Sequence, residues 1–175
     1  VISYFALLDL GLNNAAVRYI SKFRQENDVK SQKSFLGLII VFYFLVSIII
    51  VLFGIVIWNY IPNIFSKSLS RAEIVLLSQM FIVLIIDTIF NLLFNVYNGM
   101  LKAHEKYLYL KFVNLFKIII RTFVVYVILV LKGSVLTVVI CDLIINSAFY
   151  VVNIIYATVV IKITPSFKNI NKKFA

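Results

Sequence analysis

The stretch FLGLIIVFYFLVSIIIVLFGIVIWNY, which runs from Phe35 to Tyr60, contains no charged residue. At about 1.5 Å per residue, a helix over this stretch is longer than the ~30 Å hydrocarbon core of a bilayer. Polar groups are scarce, and Tyr43 and Ser47 are the main ones before Trp58. The stretch therefore predicts a transmembrane helix that faces lipid over much of its circumference.

Four further apolar runs accompany this one, and each is long enough to cross a bilayer as a helix. They cover residues 1–21, 74–101, 112–131 and 135–161. The chain is 63% hydrophobic, with a mean hydropathy of +1.05, which is far more apolar than a soluble domain of 175 residues. We expect an all-α protein, with a polytopic bundle of about five membrane-spanning helices over residues 1–161. Residues 162–175 would form a basic cytoplasmic tail or linker.

Basic residues are concentrated in every second gap between the runs. Eleven lie in the gaps after the first and third runs and in the tail, namely Lys22, Arg24, Lys30, Lys33, Lys102, Lys106, Lys111, Lys162, Lys168, Lys172 and Lys173. The other two gaps hold only Lys67 with Arg71, and Lys132. By the positive-inside rule, the first side is cytoplasmic and the first helix enters from outside. Because the apolar pattern has already begun at Val1, we expect a longer parent protein with further helices.

Local signals mark several helix ends. Ser70 followed by Glu73 has the pattern of a capping box, which predicts a helix beginning near Arg71. Gly133 is placed to end a helix at a tight turn. Both prolines, Pro62 and Pro165, fall outside the apolar runs, so we expect no helix to be kinked by proline. His104 and Glu105 lie in a basic loop and are expected to be solvated.

Charged residues inside the apolar runs are the strongest functional signal. There are six of them: Asp9, Arg18, Asp87, Lys117, Arg121 and Asp142. A charge at mid-bilayer costs about 2.5–3.5 kcal/mol on insertion scales, so these side chains should face the bundle interior, a partner or a water-filled cavity. Arg18 lies near the end of its run, and it fits snorkelling to the headgroups as well as cavity lining.

Two polar stripes recur at helical spacing. The third run carries Asp87, Asn91, Asn95 and Asn98, and the fifth carries Asp142, Asn146, Tyr150 and Asn153. Intervals of three and four residues place each set on one helix face. The asparagines can be explained by hydrogen bonds between helices, which are common in membrane bundles. The two carboxylates are more costly to bury and favour a functional interior.

A basic face runs along the fourth helix, where Lys111, Asn114, Lys117 and Arg121 share one side. Arg121 lies roughly 14 Å inside its run. Two interpretations are open. The cations could pair with Asp87 or Asp142 in a structural ion network. Alternatively, they could line an electropositive cavity for an anionic substrate, and the planar fork of arginine suits phosphate.

Several functional classes are disfavoured by the sequence. The net charge of +10 comes from residues beside membrane runs, which indicates topology and lipid contact rather than nucleic-acid binding. Cys141 is the single cysteine, so no disulfide or cysteine metal site can form within the chain. The sequence contains no group of carboxylates with His or Cys partners, which is the pattern that would indicate catalysis. We therefore predict no enzyme activity, no catalytic residues, no metal and no cofactor.

Two segments carry a resemblance to a known family. LLDLGLNNAAVRYI, from Leu7 to Ile20, resembles the second transmembrane helix of bacterial polysaccharide (O-antigen) flippases. These are lipid-linked oligosaccharide exporters of the multidrug/oligosaccharidyl-lipid/polysaccharide superfamily. NGMLKAHEKY, from Asn98 to Tyr107, is similar to that family's loop between its fourth and fifth helices. Arg121 and the turn at Gly133 also fit the family layout.

The resemblance implies five helices of a six-helix transporter lobe, in a multi-pass protein of the bacterial cytoplasmic membrane. Family members move polyprenyl-diphosphate-linked oligosaccharide across that membrane by alternating access, for O-antigen or capsule biosynthesis. The partners implied are this anionic lipid-linked oligosaccharide, membrane lipids and the missing helices of the parent chain. Arg18, Lys117 and Arg121 would hold the anionic head group. Asn91, Asn95 and Asn146 would offer hydrogen bonds to sugar hydroxyls.

The alternative is a cation-coupled multidrug exporter of the same superfamily. Asp9, Asp87 and Asp142 would then be cation-responsive carboxylates. Two basic residues on one buried face argue against a cationic cargo.

Overall fold

The chain folds into consecutive helices joined by short turns. The computed structural model describes residues 12–167. In that range lie α1 (Leu12–Gln25), α2 (Val29–Phe65), α3 (Arg71–Ala103), α4 (Tyr107–Val130) and α5 (Val135–Val159). The helices α2 to α5 are each long and apolar enough to cross a membrane. The all-helical class is confirmed, whereas the predicted first span, residues 1–21, lies largely outside the described residues.

The helix α3 is the centre of the bundle. It packs most extensively against α5, then against α2 and α1, and more lightly against α4. The buried core lies where α1, α2 and α3 meet, and it includes Ala16, Leu36, Val96 and Met100, all nearly inaccessible. By contrast, α4 has only Leu110 and Ile128 buried. The face of α4 is therefore largely open in the described part of the chain.

Side-chain caps set three of the helix starts. The capping box at Ser70 is confirmed, because the Ser70 N–H donates to Glu73 Oε2 at 2.8 Å and the Ser70 hydroxyl accepts from the Glu73 N–H. Asp28 accepts from the Ser31 N–H at 2.9 Å and so begins α2 well before Phe35. Ser134 caps α5 in the same manner through Thr137. Each cap satisfies an amide that the first helical turn leaves free.

Three helix ends use a left-handed residue that is not glycine. Asn27, Glu105 and Lys132 have φ values of 55°, 60° and 54°. After α4, the Lys132 N–H bonds to the Leu129 carbonyl and the Gly133 N–H to the Ile128 carbonyl at 2.8 Å, which is a Schellman motif. The prediction for Gly133 was therefore wrong in position: Lys132 takes the left-handed conformation, and Gly133 supplies only the closing amide.

One proline lies inside a helix, because that helix is longer than the predicted span. Pro62 lies inside α2, because that helix continues beyond Tyr60 to Phe65. Proline has no backbone N–H, so the carbonyl four residues before it loses its helical hydrogen bond. Here that loss falls in the final two turns, where the helix is close to its end and easily tolerates it.

The two basic gaps after the first and third runs meet at one end of the bundle, which we call the basic end. Arg24 Nη1 donates to the Ala103 carbonyl at 3.0 Å and lies 3.3 Å from Glu105 Oε1. His104 Nε2 lies 3.2 Å from Gln32 Oε1, so His104 is half-buried rather than fully solvated as expected. These contacts tie the α1–α2 turn to the α3–α4 turn.

A segment after α5, residues 160–167, closes the basic end on its other side; we call it the strap. The Ser166 N–H donates to the Lys33 carbonyl at 2.9 Å, which fixes the strap against the start of α2. Gly37 lies directly below the Ser166 carbonyl, where a Cβ atom would collide with it. Ile163 of the strap is buried in the core. The absence of a side chain at Gly37 thus allows the strap to approach.

Candidate functional site

The two predicted stripes face each other across the α3–α5 interface. Asp87 is the middle residue of α3, and Asn146 lies near the middle of α5. The Asn146 amide donates to both carboxylate oxygens of Asp87, at 2.9 and 3.1 Å. The interface therefore carries a half-buried, hydrogen-bonded carboxylate at the middle of a candidate membrane span, where such a group needs a polar partner.

A second polar contact lies nearer the basic end. Asn153 Nδ2 donates to Asn98 Oδ1 at 2.8 Å, and Asn98 Nδ2 donates to Asn95 Oδ1 at 2.9 Å. The Asn153 Oδ1 atom is buried and has no hydrogen-bond partner in the described part of the chain. This chain of amides joins α5 to α3, which is the interhelical role considered for the asparagines.

A bidentate ion pair joins α4 to α5. Arg121 donates from Nε to Asp142 Oδ1 at 2.8 Å and from Nη2 to Asp142 Oδ2 at 2.7 Å. The Arg121 side chain is 59% exposed and that of Asp142 is 22% exposed. One of the two interpretations left open by the sequence, pairing with Asp142, therefore describes Arg121 in this structure. Its outer face is still open.

Lys117 is placed differently, one helical turn nearer the basic end than Arg121. Its ammonium lies 5.6 Å from the centroid of the Tyr150 ring, a distance suited to a cation–π contact. Lys117 makes no ion pair with any residue between 12 and 167. The charges of Asp87 and Asp142 act on it only at longer range.

These groups form one arrangement, which we call the charged cluster: Asp87, Lys117, Arg121, Asp142 and Asn146. The formal charges of its two cations and two carboxylates sum to zero. The cations are on α4, whose outer face is open, and Asp87 is on α3 behind them. A polar or charged ligand that approached this face would therefore meet the cations of α4 first. Tyr150 was in a predicted stripe but not among the predicted site residues; its spacing of four from Asn146 was the available signal.

The other predicted site residues are not brought into the charged cluster by any contact in the described range. Arg18 is exposed on α1, a helix that packs mainly on α3 and α2. Asn91 is exposed on α3, and Asn95 bonds to Asn98 of the same helix. Asp9 lies outside the described residues. Within residues 12–167, no group of three His, Cys, Asp or Glu side chains could hold a metal ion.

Comparison with known proteins gives one family. The family described as MatE matches residues 1–127, which is well over half of the chain. The matched part includes the whole of α1, α2 and α3 and most of α4, and so contains Asp87, Lys117 and Arg121. No curated protein and no solved structure matches the chain.

Proposed function

Since this chain belongs to the MatE family of membrane transporters, we propose that it is part of a flippase for an anionic lipid-linked oligosaccharide. The cargo class is a polyprenyl-diphosphate-linked sugar, moved by alternating access across the bacterial cytoplasmic membrane for surface polysaccharide biosynthesis. The basic end would face the cytoplasm, as the positive-inside rule requires. The remaining helices of the transporter would come from the parent chain.

The observation that supports this proposal is the position of Lys117. It is a half-buried cation inside a candidate membrane span, and it has no carboxylate partner within the described range. A cation in that position is costly, and a diphosphate would supply the missing counter-charge. Tyr150 holds the ammonium in place meanwhile without neutralising it.

Arg121 would act as the second anion contact. Its fork is occupied by Asp142 on one edge, but the side chain is 59% exposed, and an arriving phosphate can reach the free edge. Arginine binds phosphate with two parallel hydrogen bonds, and the edge of the guanidinium that Asp142 leaves free can supply them. The exposed Asn91 would contact sugar hydroxyls beyond the phosphates.

The decisive experiment compares Lys117→Ala with Lys117→Arg and Lys111→Ala in cells that depend on the full-length transporter. We would measure the pool of diphosphate-linked oligosaccharide in the membrane and the polysaccharide at the cell surface. Lys117→Ala should raise the pool and lower the surface polymer at equal protein abundance, whereas Lys117→Arg should keep most of the transport. Lys111 shares the helix face but is exposed near its end, so Lys111→Ala should have little effect. Unchanged pools in Lys117→Ala would refute the assignment.

A cation-coupled multidrug exporter is the second candidate, and Asp87 is the observation that favours it. Its carboxylate accepts two hydrogen bonds from Asn146 but makes no ion pair with any described residue. Such a carboxylate can exchange a proton or a metal cation. Under this alternative, Asp87→Asn would abolish drug-dependent ion exchange in proteoliposomes, while Lys117→Ala would leave the sugar pools unchanged.

A further inference from the structure

An apolar groove lies between α2, α3 and the strap, and none of the charged-cluster residues lines it. Its volume is about 460 Å³, within the range typical of small-molecule pockets. Ile40 and Phe44 line it from α2, and Leu93 and Tyr97 from α3. Pro165 and Phe167 of the strap cover the end nearest the basic end of the bundle. We call this the strap groove.

The strap groove contains one polar group without a partner. Tyr97 is 8% exposed as a whole residue, and its hydroxyl makes no hydrogen bond to any other described residue, although the oxygen itself is not fully buried. A largely buried tyrosine whose hydroxyl stays accessible can bond to a group that enters beside it. An occupant with a hydrogen-bond acceptor would therefore satisfy Tyr97.

The groove opens on an apolar surface of α2, which we expect to face lipid. Val41 and Phe44 at its mouth are 41% and 57% exposed, and both belong to the uncharged stretch of α2. Tyr97 lies about 6 Å along α3 from the predicted end of the span at Leu101. That depth corresponds to the boundary between acyl chains and headgroups, where phospholipids carry their ester carbonyl groups.

Positive charge lies at the covered end of the groove. Lys33 is seven residues before Ile40 on α2, two helical turns and about 10 Å nearer the basic end on the same face. Its carbonyl holds the strap through Ser166. Basic residues at this level attract anionic lipids of the cytoplasmic leaflet. The strap groove thus combines an apolar channel, an unpaired phenol and a cation in the order in which a phospholipid presents its chain, ester and phosphate.

We propose that the strap groove binds one anionic phospholipid, in addition to the transported cargo and independently of it. One acyl chain lies between Ile40, Phe44 and Leu93. The Tyr97 hydroxyl donates to an ester carbonyl, and the Lys33 ammonium contacts the phosphate. The bound lipid joins α2, α3 and the strap, so it stabilises the basic end of the bundle.

The test uses the full-length transporter, purified in detergent and depleted of lipid, then titrated with phosphatidylglycerol or phosphatidylcholine. Bound lipid is counted by native mass spectrometry, and the thermal midpoint is recorded in parallel. We expect tighter retention of phosphatidylglycerol. Tyr97→Phe keeps the ring and removes only the hydroxyl, so retention should weaken about five-fold, as for the loss of one hydrogen bond. The control Tyr126→Phe, at an exposed position on α4, should have no effect.

Two further variants separate the chain site from the charge site. Val41→Trp fills the mouth of the groove and should reduce retention at least ten-fold, whereas Leu45→Trp, exposed on α2 but outside the groove, should not. Lys33→Gln should remove the preference for phosphatidylglycerol over phosphatidylcholine. Equal retention of the two lipids by the unmodified protein would overturn the proposal. Retention that is insensitive to both Tyr97→Phe and Val41→Trp would do so too, because another occupant would then fill the groove.

Discussion

Two carboxylates of this bundle, Asp87 and Asp142, are bound by side chains on neighbouring helices. Asp87 is bound by Asn146, and Asp142 by Arg121. Hydrogen bonds between membrane helices contribute about 1–2 kcal/mol at most, yet a buried carboxylate that loses its donor pays a larger cost. Removal of one partner should therefore lower the free energy of unfolding by more than the mean value of such bonds suggests.

The variant Asn146→Leu tests this cost. It leaves the Asp87 carboxylate half-buried without its amide donor, so we expect a loss of about 1–3 kcal/mol in the free energy of unfolding. Asn91→Leu is the matched control, because Asn91 is exposed and makes no side-chain hydrogen bond among the described residues. Thermal unfolding of the purified transporter in one detergent provides the comparison. Equal midpoints for the two variants would show that Asp87 does not depend on Asn146.

The Arg121–Asp142 pair should be much weaker than its geometry suggests. Its two hydrogen bonds are short, but the Arg121 side chain is 59% exposed, and screening reduces the energy of such pairs. A double-mutant cycle with Arg121→Gln and Asp142→Asn should give a coupling of about 1 kcal/mol in the free energy of unfolding. The matched cycle of Lys117→Gln with Asp142→Asn should give a smaller value, because no ion pair joins those two. A larger coupling in the second cycle would contradict the arrangement of the cluster.

The sequence predicted which residues share a helix face, but it left Asp87 and Asp142 open as partners of the cations and did not predict the contact of Asn146 with Asp87. Spacing placed Asp142 and Asn146 on one side of α5, yet Asp142 pairs with α4 and Asn146 with α3. Residues four apart differ by about 40° around a helix, which is enough for them to contact two different neighbours. The rotation of α5 between α3 and α4 decides the partners, and that rotation depends on packing across the whole interface.

At the level of helices, local chemistry was predictable wherever a short motif sets the end. The capping box at Ser70 needs only two side chains three residues apart, and the structure contains it. The end of α4 depends instead on which residue turns left-handed, and several side chains tolerate that conformation at a cost. Lys132 adopts it although glycine is the next residue. A left-handed residue at Lys132 or at Gly133 would end the helix at nearly the same place, so the sequence could not distinguish these two alternatives.

Lys132→Gly should therefore stabilise the protein. A left-handed conformation costs an L-residue about 1–2 kcal/mol, and glycine avoids this cost. Glycine also makes the unfolded chain more flexible, which reduces the gain in stability by roughly 0.5–1 kcal/mol. We expect a net gain of up to about 1 kcal/mol, seen as a higher thermal midpoint. Gly133→Ala should act in the opposite direction, because the added Cβ would lie 2.6 Å from Ile128 Cγ2. A lower midpoint for Lys132→Gly would mean that the lysine side chain stabilises the turn in another manner.

At the scale of the whole molecule, the two ends of the bundle are built differently. At the basic end, contacts between segments distant in sequence tie together two turns and the strap. At the other end, the turn residues 66–70 and 131–134 form hydrogen bonds only with nearby positions among the described residues. The sequence located the basic end by charge alone, but the interlock of Arg24 with Ala103 was not predictable because a backbone carbonyl leaves no trace in sequence.

The stability of the contacts at the basic end should depend on pH through His104. Burial holds the pKa of the His104 imidazole below its usual value near 6.5, and the charges of Arg24 and Lys106 add to this effect against the opposing charge of Glu105. The folded protein therefore binds fewer protons than the unfolded chain just below pH 6.5. Stability from the neutral imidazole is complete above about pH 6.5 and declines as the pH falls towards the lowered pKa.

We expect the thermal midpoint to fall between pH 7.5 and pH 5.5, and His104→Gln should reduce that fall. His104 is the only histidine in the 175 residues, so the difference between variant and unmodified protein isolates its contribution. An Asn27→Ala variant serves as a control that alters the neighbouring turn without changing a titratable group. If His104→Gln retained the full pH dependence, carboxylates rather than this imidazole would be responsible.

The unequal lengths of the helices have a consequence for the membrane itself. The helix α2 has 37 residues and α3 has 33, which correspond to about 55 and 50 Å. The helices α4 and α5, with 24 and 25 residues, reach only about 36–38 Å. In a hydrocarbon layer about 30 Å thick, such unequal neighbours produce hydrophobic mismatch, which tilt or local thickening must absorb. The apolar runs of α2 and α3, residues 35–60 and 74–101, exceed that thickness, whereas the run of α4, residues 112–131, only matches it. We therefore expect the protein to thicken the bilayer on its α2 and α3 side and to favour membranes with longer acyl chains.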